Sequence, residues 1–146
     1  MSHPPILTPE ELIDDFEFLD TMEERYKLII ELGNELPEFP AALQIDEFKV
    51  QGCQSQVWLV PEVVRPEPSA PAVVRFRADS DSQIVKGLVA ILVMLLSGKT
   101  PQEILAFDLQ GLFEQLELKK HLTPSRANGL NSMIRRIREI AATVGS

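Results

Sequence analysis

The chain has one cysteine, Cys53, and two histidines among its 146 residues. A single thiol excludes an intramolecular disulfide framework. The soft metal ligands are Cys53, His3 and His121, with His3 in a proline-rich start, so one chain cannot assemble a closed four-ligand zinc site. A metal shared between chains stays open. Long apolar runs are also missing. The longest, Leu88 to Leu96, is nine residues, whereas a membrane-spanning helix needs about twenty. The formal net charge is −8, which argues against a nucleic-acid partner, because such binding needs a basic footprint. Met1 to Ile6 lacks both the basic and the apolar parts of a signal peptide. A reducing, cytoplasmic setting is therefore expected.

The scarcity of positive charge is uneven. Residues 1–72 carry four Lys/Arg against fifteen Asp/Glu, and residues 73–146 carry ten against seven, giving −11 and +3. A solvated surface accounts for much of such asymmetry. Beyond that, it favours a protein partner met by the basic C-terminal helix or the acidic N-terminal one. The length suits a single domain over 1–146, with 1–8 expected as a flexible tail, and a chain of this size buries roughly two-thirds of its unfolded surface.

Three Thr-Pro pairs mark helix starts at Thr8-Pro9, Thr100-Pro101 and Thr123-Pro124. Threonine caps free N–H groups, and proline at the first helical position loses nothing by lacking one. Glu11 and Glu103 complete capping boxes in the first two. The pattern predicts helices over about 9–18, from Asp20 or Thr21 to before Pro37, over 83–96, from Pro101, near 112–116 and over 124–142. Ser80 with Gln83 reads as the capping box of the third. The 83–96 helix is apolar nearly all round and should be central. The last helix has a buried stripe of Leu130, Met133, Ile134, Ile137 and Ala141. Strands are expected at 48–50, at 56–60 and around Val74, Phe76 and Ala78, in an antiparallel meander. Pro61, Pro66, Pro68 and Pro71 mark a wide loop.

Cys53 sits between the first two of these strands, in Gln51-Gly52-Cys53-Gln54-Ser55-Gln56-Val57-Trp58. A glycine directly before a lone thiol, with small polar neighbours, reads as a tight turn presenting the sulfur at its tip. A core-filling cysteine more often has apolar neighbours on both sides.

Three segments together resemble the SufE family of sulfur-acceptor proteins, which includes the CsdE type. They are Gln51 to Trp58, Asp79-Ser80-Asp81-Ser82-Gln83-Ile84-Val85-Lys86-Gly87-Leu88, and His121-Leu122-Thr123-Pro124-Ser125-Arg126-Ala127-Asn128-Gly129-Leu130. Tyr26 to Gly33 adds a weaker match, and the resemblance covers about residues 9–142. It implies an α+β fold with a small antiparallel three-stranded sheet packed against several helices, shared with IscU-type scaffolds. It also implies a role in which a pyridoxal-phosphate cysteine desulfurase of the SufS/CsdA type forms a persulfide, and the acceptor takes its terminal sulfur onto Cys53. The sulfur then passes to a downstream acceptor or cluster scaffold. The pyridoxal cofactor belongs to the desulfurase, and none is expected here. Scaffolds of this fold hold clusters with several cysteines, so one cysteine argues for a carrier. A homodimer stays open.

Thiol-to-thiol sulfur transfer needs a thiolate, and a free cysteine is only a few per cent ionised at pH 7. No basic residue adjoins Cys53 in the chain; the nearest is Lys49. Turn N–H groups around Gly52 are candidate activators, as are Lys86 and Arg126 if folding brings them close; either cation also reads as solvated or ion-paired. Gln54 and Gln56 are candidates for orienting the thiol or binding the partner, or are simply polar loop residues. Asp79 and Asp81 read as helix-start acids, and the Asp79 end of its strand is expected near the cysteine turn, where the carboxylates would oppose thiolate formation. An apolar pocket under the turn would shield a persulfide. Two other classes compete: an adaptor that activates a desulfurase without using Cys53, and a stand-alone cysteine enzyme with His121 as its base.

Overall fold

The structure is a computed structural model that describes residues 5–145 and only the backbone of His121. Residues 1–4 of the expected tail lie outside the described residues, as does the side chain that the stand-alone enzyme would use as its base. Helix α1 spans Pro9–Phe18 and α2 spans Met22–Asn34, capped by the Thr8 and Thr21 side chains. Strands β1 (Val57–Val64) and β2 (Val73–Ser80) follow, then α3 (Gln83–Leu96), α4 (Pro101–Ala106), α5 (Leu109–Gln115) and α6 (Pro124–Gly145). Just before α1, the Leu7 N–H bonds to the Met94 carbonyl at 3.2 Å.

Helix α3 is the centre, with every residue from Gly87 to Leu96 buried. It packs on α2, β2 and α6. Its contact with α2 is backbone-close, since a Cβ added to Gly33 would lie 2.9 Å from the Gly87 nitrogen. The expected stripe of α6 is buried throughout. In β2, Val74, Phe76 and Ala78 face the core while Arg75 and Arg77 remain half-exposed.

The sheet departs from expectation. Among the described residues it has two strands, not three. Residues 46–48 form a single 3-10 turn, and the expected first strand shrinks to one bridge between Lys49 and Trp58. The Val50 N–H still reaches the Val57 carbonyl at 2.8 Å, but the preceding turn leaves no extended residues to continue the ladder. Strand β1 runs further than expected, through Pro61, which stands opposite Phe76. The Val57 carbonyl points to the outer edge, and Pro61 shares its parity. Its missing N–H therefore faces away from β2 and removes no ladder bond.

The caps also shift. Thr100 and Glu103 form the reciprocal box. At α1, Thr8 accepts from the Glu11 N–H and donates to the Glu11 carboxylate, so that second bond runs side chain to side chain. The cap of α3 is Ser82, accepting from the Val85 N–H, because β2 extends through Ser80.

Candidate functional site

Cys53 lies in the turn that leads into β1. The turn is closed at its base by the Val50–Val57 bond, and Gly52 adopts φ +92°, a left-handed conformation that side-chain-bearing residues rarely take. Gly52 has a second constraint. A Cβ there would sit 2.5 Å from Ser132 Oγ on α6.

The cysteine is half-buried, and its Sγ lies 3.6 Å from the Gly129 carbonyl of α6, within reach of a weak S–H donor. Burial pushes the Cys53 thiol above its ordinary pKa. Ionising it in place would set a thiolate against a carbonyl oxygen with no proton between them. Both effects hold the resting group as a neutral thiol.

The sulfur borders a cavity of about 250 Å³ lined also by Gln54, Ser55, Ser82, Val85, Thr123, Ser125, Arg126, Gly129 and Met133. Two helix starts meet there, those of α3 and α6. Their hydroxyls, with Arg126, give the cavity a largely polar wall, so the expected apolar pocket is reduced to Val85, Met133 and the backbone of Gly129. No carboxylate is among the lining residues.

Folding therefore brings Cys53, Gln54 and Arg126 to one cavity across more than seventy residues of sequence. Gly52 lies on the α6 side of the turn. Gln56 stands at the exit, its N–H donating to the Asp81 carboxylate at 3.0 Å. Asp79 and Lys86 go to each other. Lys86 Nζ is 3.4 Å from Asp79 Oδ1, and Gln44 Nε2 donates to the second Asp79 oxygen at 3.1 Å. Lys86 is absent from the cavity lining, and neither Asp79 nor Asp81 caps α3. Sequence reasoning overlooked Ser132, a small residue on the polar side of α6 beside Arg135 and Arg136 that its spacing marks as solvent-facing, and the contact from the Gly129 carbonyl, a backbone atom that no side-chain pattern encodes. Trp58 is buried.

Among the described residues, no group of His, Cys, Asp and Glu side chains is arranged to hold a metal ion. No helix among them is long and apolar enough to cross a membrane.

Comparison with known proteins matches residues 10–141 to the SufE family model, described as an Fe-S metabolism associated domain. Two relatives, both called uncharacterized SufE-like proteins, come from Rhizobium meliloti (strain 1021) and Rhizobium etli. Each is 47% identical over 132 residues, covering 90% of this chain and 93% and 88% of the relatives. A solution structure of a hypothetical protein from Thermus thermophilus superposes with a TM-score of 0.72 at 21% identity, covering 99% of this chain and 100% of that one. This last likeness speaks to the fold alone.

Proposed function

Because the chain belongs to the SufE family, whose domain is associated with Fe–S metabolism, we propose that it is a sulfur carrier that accepts persulfide sulfur on Cys53 from a cysteine desulfurase. The observation that carries this reading is the position of the chain's one thiol, at a positive-φ glycine turn, beside a cavity that holds Arg126 and no carboxylate.

The chemistry asks little of the carrier beyond positioning. The desulfurase breaks the carbon–sulfur bond with its own cofactor and holds the product as a persulfide. Cys53 leaves the Gly129 carbonyl and gives up its proton to solvent. Its thiolate then attacks the terminal sulfur in line, and the sulfur–sulfur bond on the desulfurase breaks. The electron pair departs on the desulfurase thiolate. Atoms and electrons balance without an oxidant. Cys53 then carries the persulfide, and the reverse logic delivers its outer sulfur to a downstream acceptor or scaffold for cluster assembly. In the free protein, burial and the Gly129 contact keep the thiol protonated and slow to react with stray electrophiles. The guanidinium of Arg126 supplies positive charge where an anionic persulfide would sit, and it is available to an acidic rim on a partner.

The test is the intact mass of the protein after incubation with a cysteine desulfurase and cysteine. Additions of about 32 Da per sulfur atom, reversed by reductant and absent in Cys53→Ser, are expected from the transfer step. Stimulation of the desulfurase with no added mass would instead mark an adaptor that does not use its thiol.

A further inference from the structure

We propose that Ser132 is a positioning residue for Cys53: it is the seat on which the Gly52 turn rests, and its small size sets how deeply the thiol sits. The consequence for sulfur transfer rests on the carrier reading above, while the packing relation does not.

Gly129 and Ser132 are three residues apart on α6 and so share a face. The Gly129 carbonyl meets Cys53 Sγ at 3.6 Å, and Ser132 meets the neighbouring residue of the turn. The fit at Gly52 is close: an added Cβ would fall 2.5 Å from Ser132 Oγ and 3.3 Å from Ser132 Cβ. Ser132 is 7% exposed, the one polar residue that is buried among the described residues. Ser132 lies on the polar side of α6, in line with Arg135, Arg136 and Glu139, yet it is buried where those neighbours are not, because the Gly52 turn covers it. What the turn needs at this position is a side chain small enough to fit beneath Gly52.

The rest of the turn is lightly held. On the sulfur side it borders the Cys53 cavity. Its first half borders a second cavity of about 410 Å³, lined by Lys49, Gln51, Ser132 and Arg135 among others. Residues of the turn thus border two cavities, and the turn is tied at its base by Val50–Val57 and at its exit by Gln56–Asp81. Between those ties, contact with the Gly129–Ser132 face decides its height. A larger group on either side of the Gly52–Ser132 contact lifts the turn into free space, not into packed core, and carries Cys53 away from Gly129.

The test is a rescue experiment on the free protein. Alkylation of Cys53 by iodoacetamide is followed by intact mass for wild type, Gly52→Ala, Ser132→Ala and the double variant, with near-ultraviolet circular dichroism as the folding control. Gly52→Ala is expected to alkylate about tenfold faster, Ser132→Ala within about twofold of wild type, and the double variant clearly slower than Gly52→Ala, because contacting residues couple. Recovery is partial, since the positive φ at residue 52 still disfavours alanine. A double variant as fast as Gly52→Ala, or a folded Gly52→Ala at the wild-type rate, overturns the proposal. If Gly52→Ala does not fold, Ser132→Leu applies the same push from the helix. A faster rate supports the seat, and an unchanged rate in a folded protein overturns it. Rates that follow this pattern in a protein that never gains sulfur from a desulfurase would leave the seat standing and remove the carrier reading.

Discussion

The Gln56 N–H donates to the Asp81 carboxylate at 3.0 Å, and the Asp81 N–H donates back to the Gln56 carbonyl at 3.2 Å. This reciprocal pair fastens the exit of the cysteine turn to the segment entering α3. Asp81→Ala removes the charge-assisted half and leaves a backbone N–H to water. The expected result is alkylation of Cys53 several-fold faster, on the order of the 1 kcal/mol that a solvent-exposed bond of this kind contributes. Sequence reasoning points to Asp79 as the carboxylate that restrains the thiol. In the structure its charge is engaged by Lys86 and Gln44, so Asp79→Asn should leave the alkylation profile on the wild-type curve. A fast Asp79→Asn beside an unchanged Asp81→Ala would assign the restraint to the electric field and not to the tether.

Cys53→Ser should abolish sulfur acceptance and leave the fold intact. Serine is close in size, and the half-buried site keeps the Gly129 carbonyl as a hydrogen-bond acceptor. The stability cost should stay under about 2 kcal/mol. The check is sulfide release by a desulfurase with each protein, alongside circular dichroism. Full stimulation by a folded Cys53→Ser protein would contradict the carrier role.

The buried thiol should leave a mark on alkaline stability. Burial raises the Cys53 pKa in the folded protein, so the folded state holds this proton more tightly than the unfolded chain does. The associated stability is fully present below the unfolded thiol pKa, about 8.5, and is lost as pH rises through the folded value. Serine does not titrate there. The Tm of the wild type relative to Cys53→Ser should therefore fall above about pH 8.5. A constant difference from neutral to alkaline pH would show that the thiol is not held protonated by its surroundings.

Arg126 is half-exposed at the start of α6, on the cavity that Cys53 borders. A charged group at the rim of a docking surface acts mainly on association rate and its salt dependence. Arg126→Ala should raise the desulfurase concentration needed for half-maximal stimulation, more so at low salt, with less effect on the maximum. Titrations that coincide with wild type at low and moderate salt would take Arg126 out of the interface.

Much of the secondary structure was legible because its signals are local. Thr8, Thr21, Thr100 and Thr123 each place an oxygen on an N–H three residues ahead, and such bonds are written in short sequence spacing. The apolar run of α3 and the stripe of α6 report burial by periodicity alone. The misplaced features depend on partners far along the chain. Ser80 was displaced as a cap by Ser82 because β2 stays paired to its last residue. Pro61 lies within a strand because pairing turns its nitrogen to the open edge. Lys49 makes one bridge because a 3-10 turn before it uses up the extended chain.

What can be read from the sequence is that the chain has one thiol, preceded by glycine and flanked by polar residues. The sequence also determined the helices, whose hydrogen bonds close within a few residues. Tertiary structure alone decided the thiol's surroundings. Arg126 came to the cavity and Lys86 went to Asp79, Gly129 supplied a carbonyl, and Ser132 took the space beneath Gly52. These neighbours lie tens of residues from Cys53, and their distances follow from how α3, α6 and the sheet pack. Depth of burial, which sets the protonation of the thiol, is a property of that packing and not of any segment.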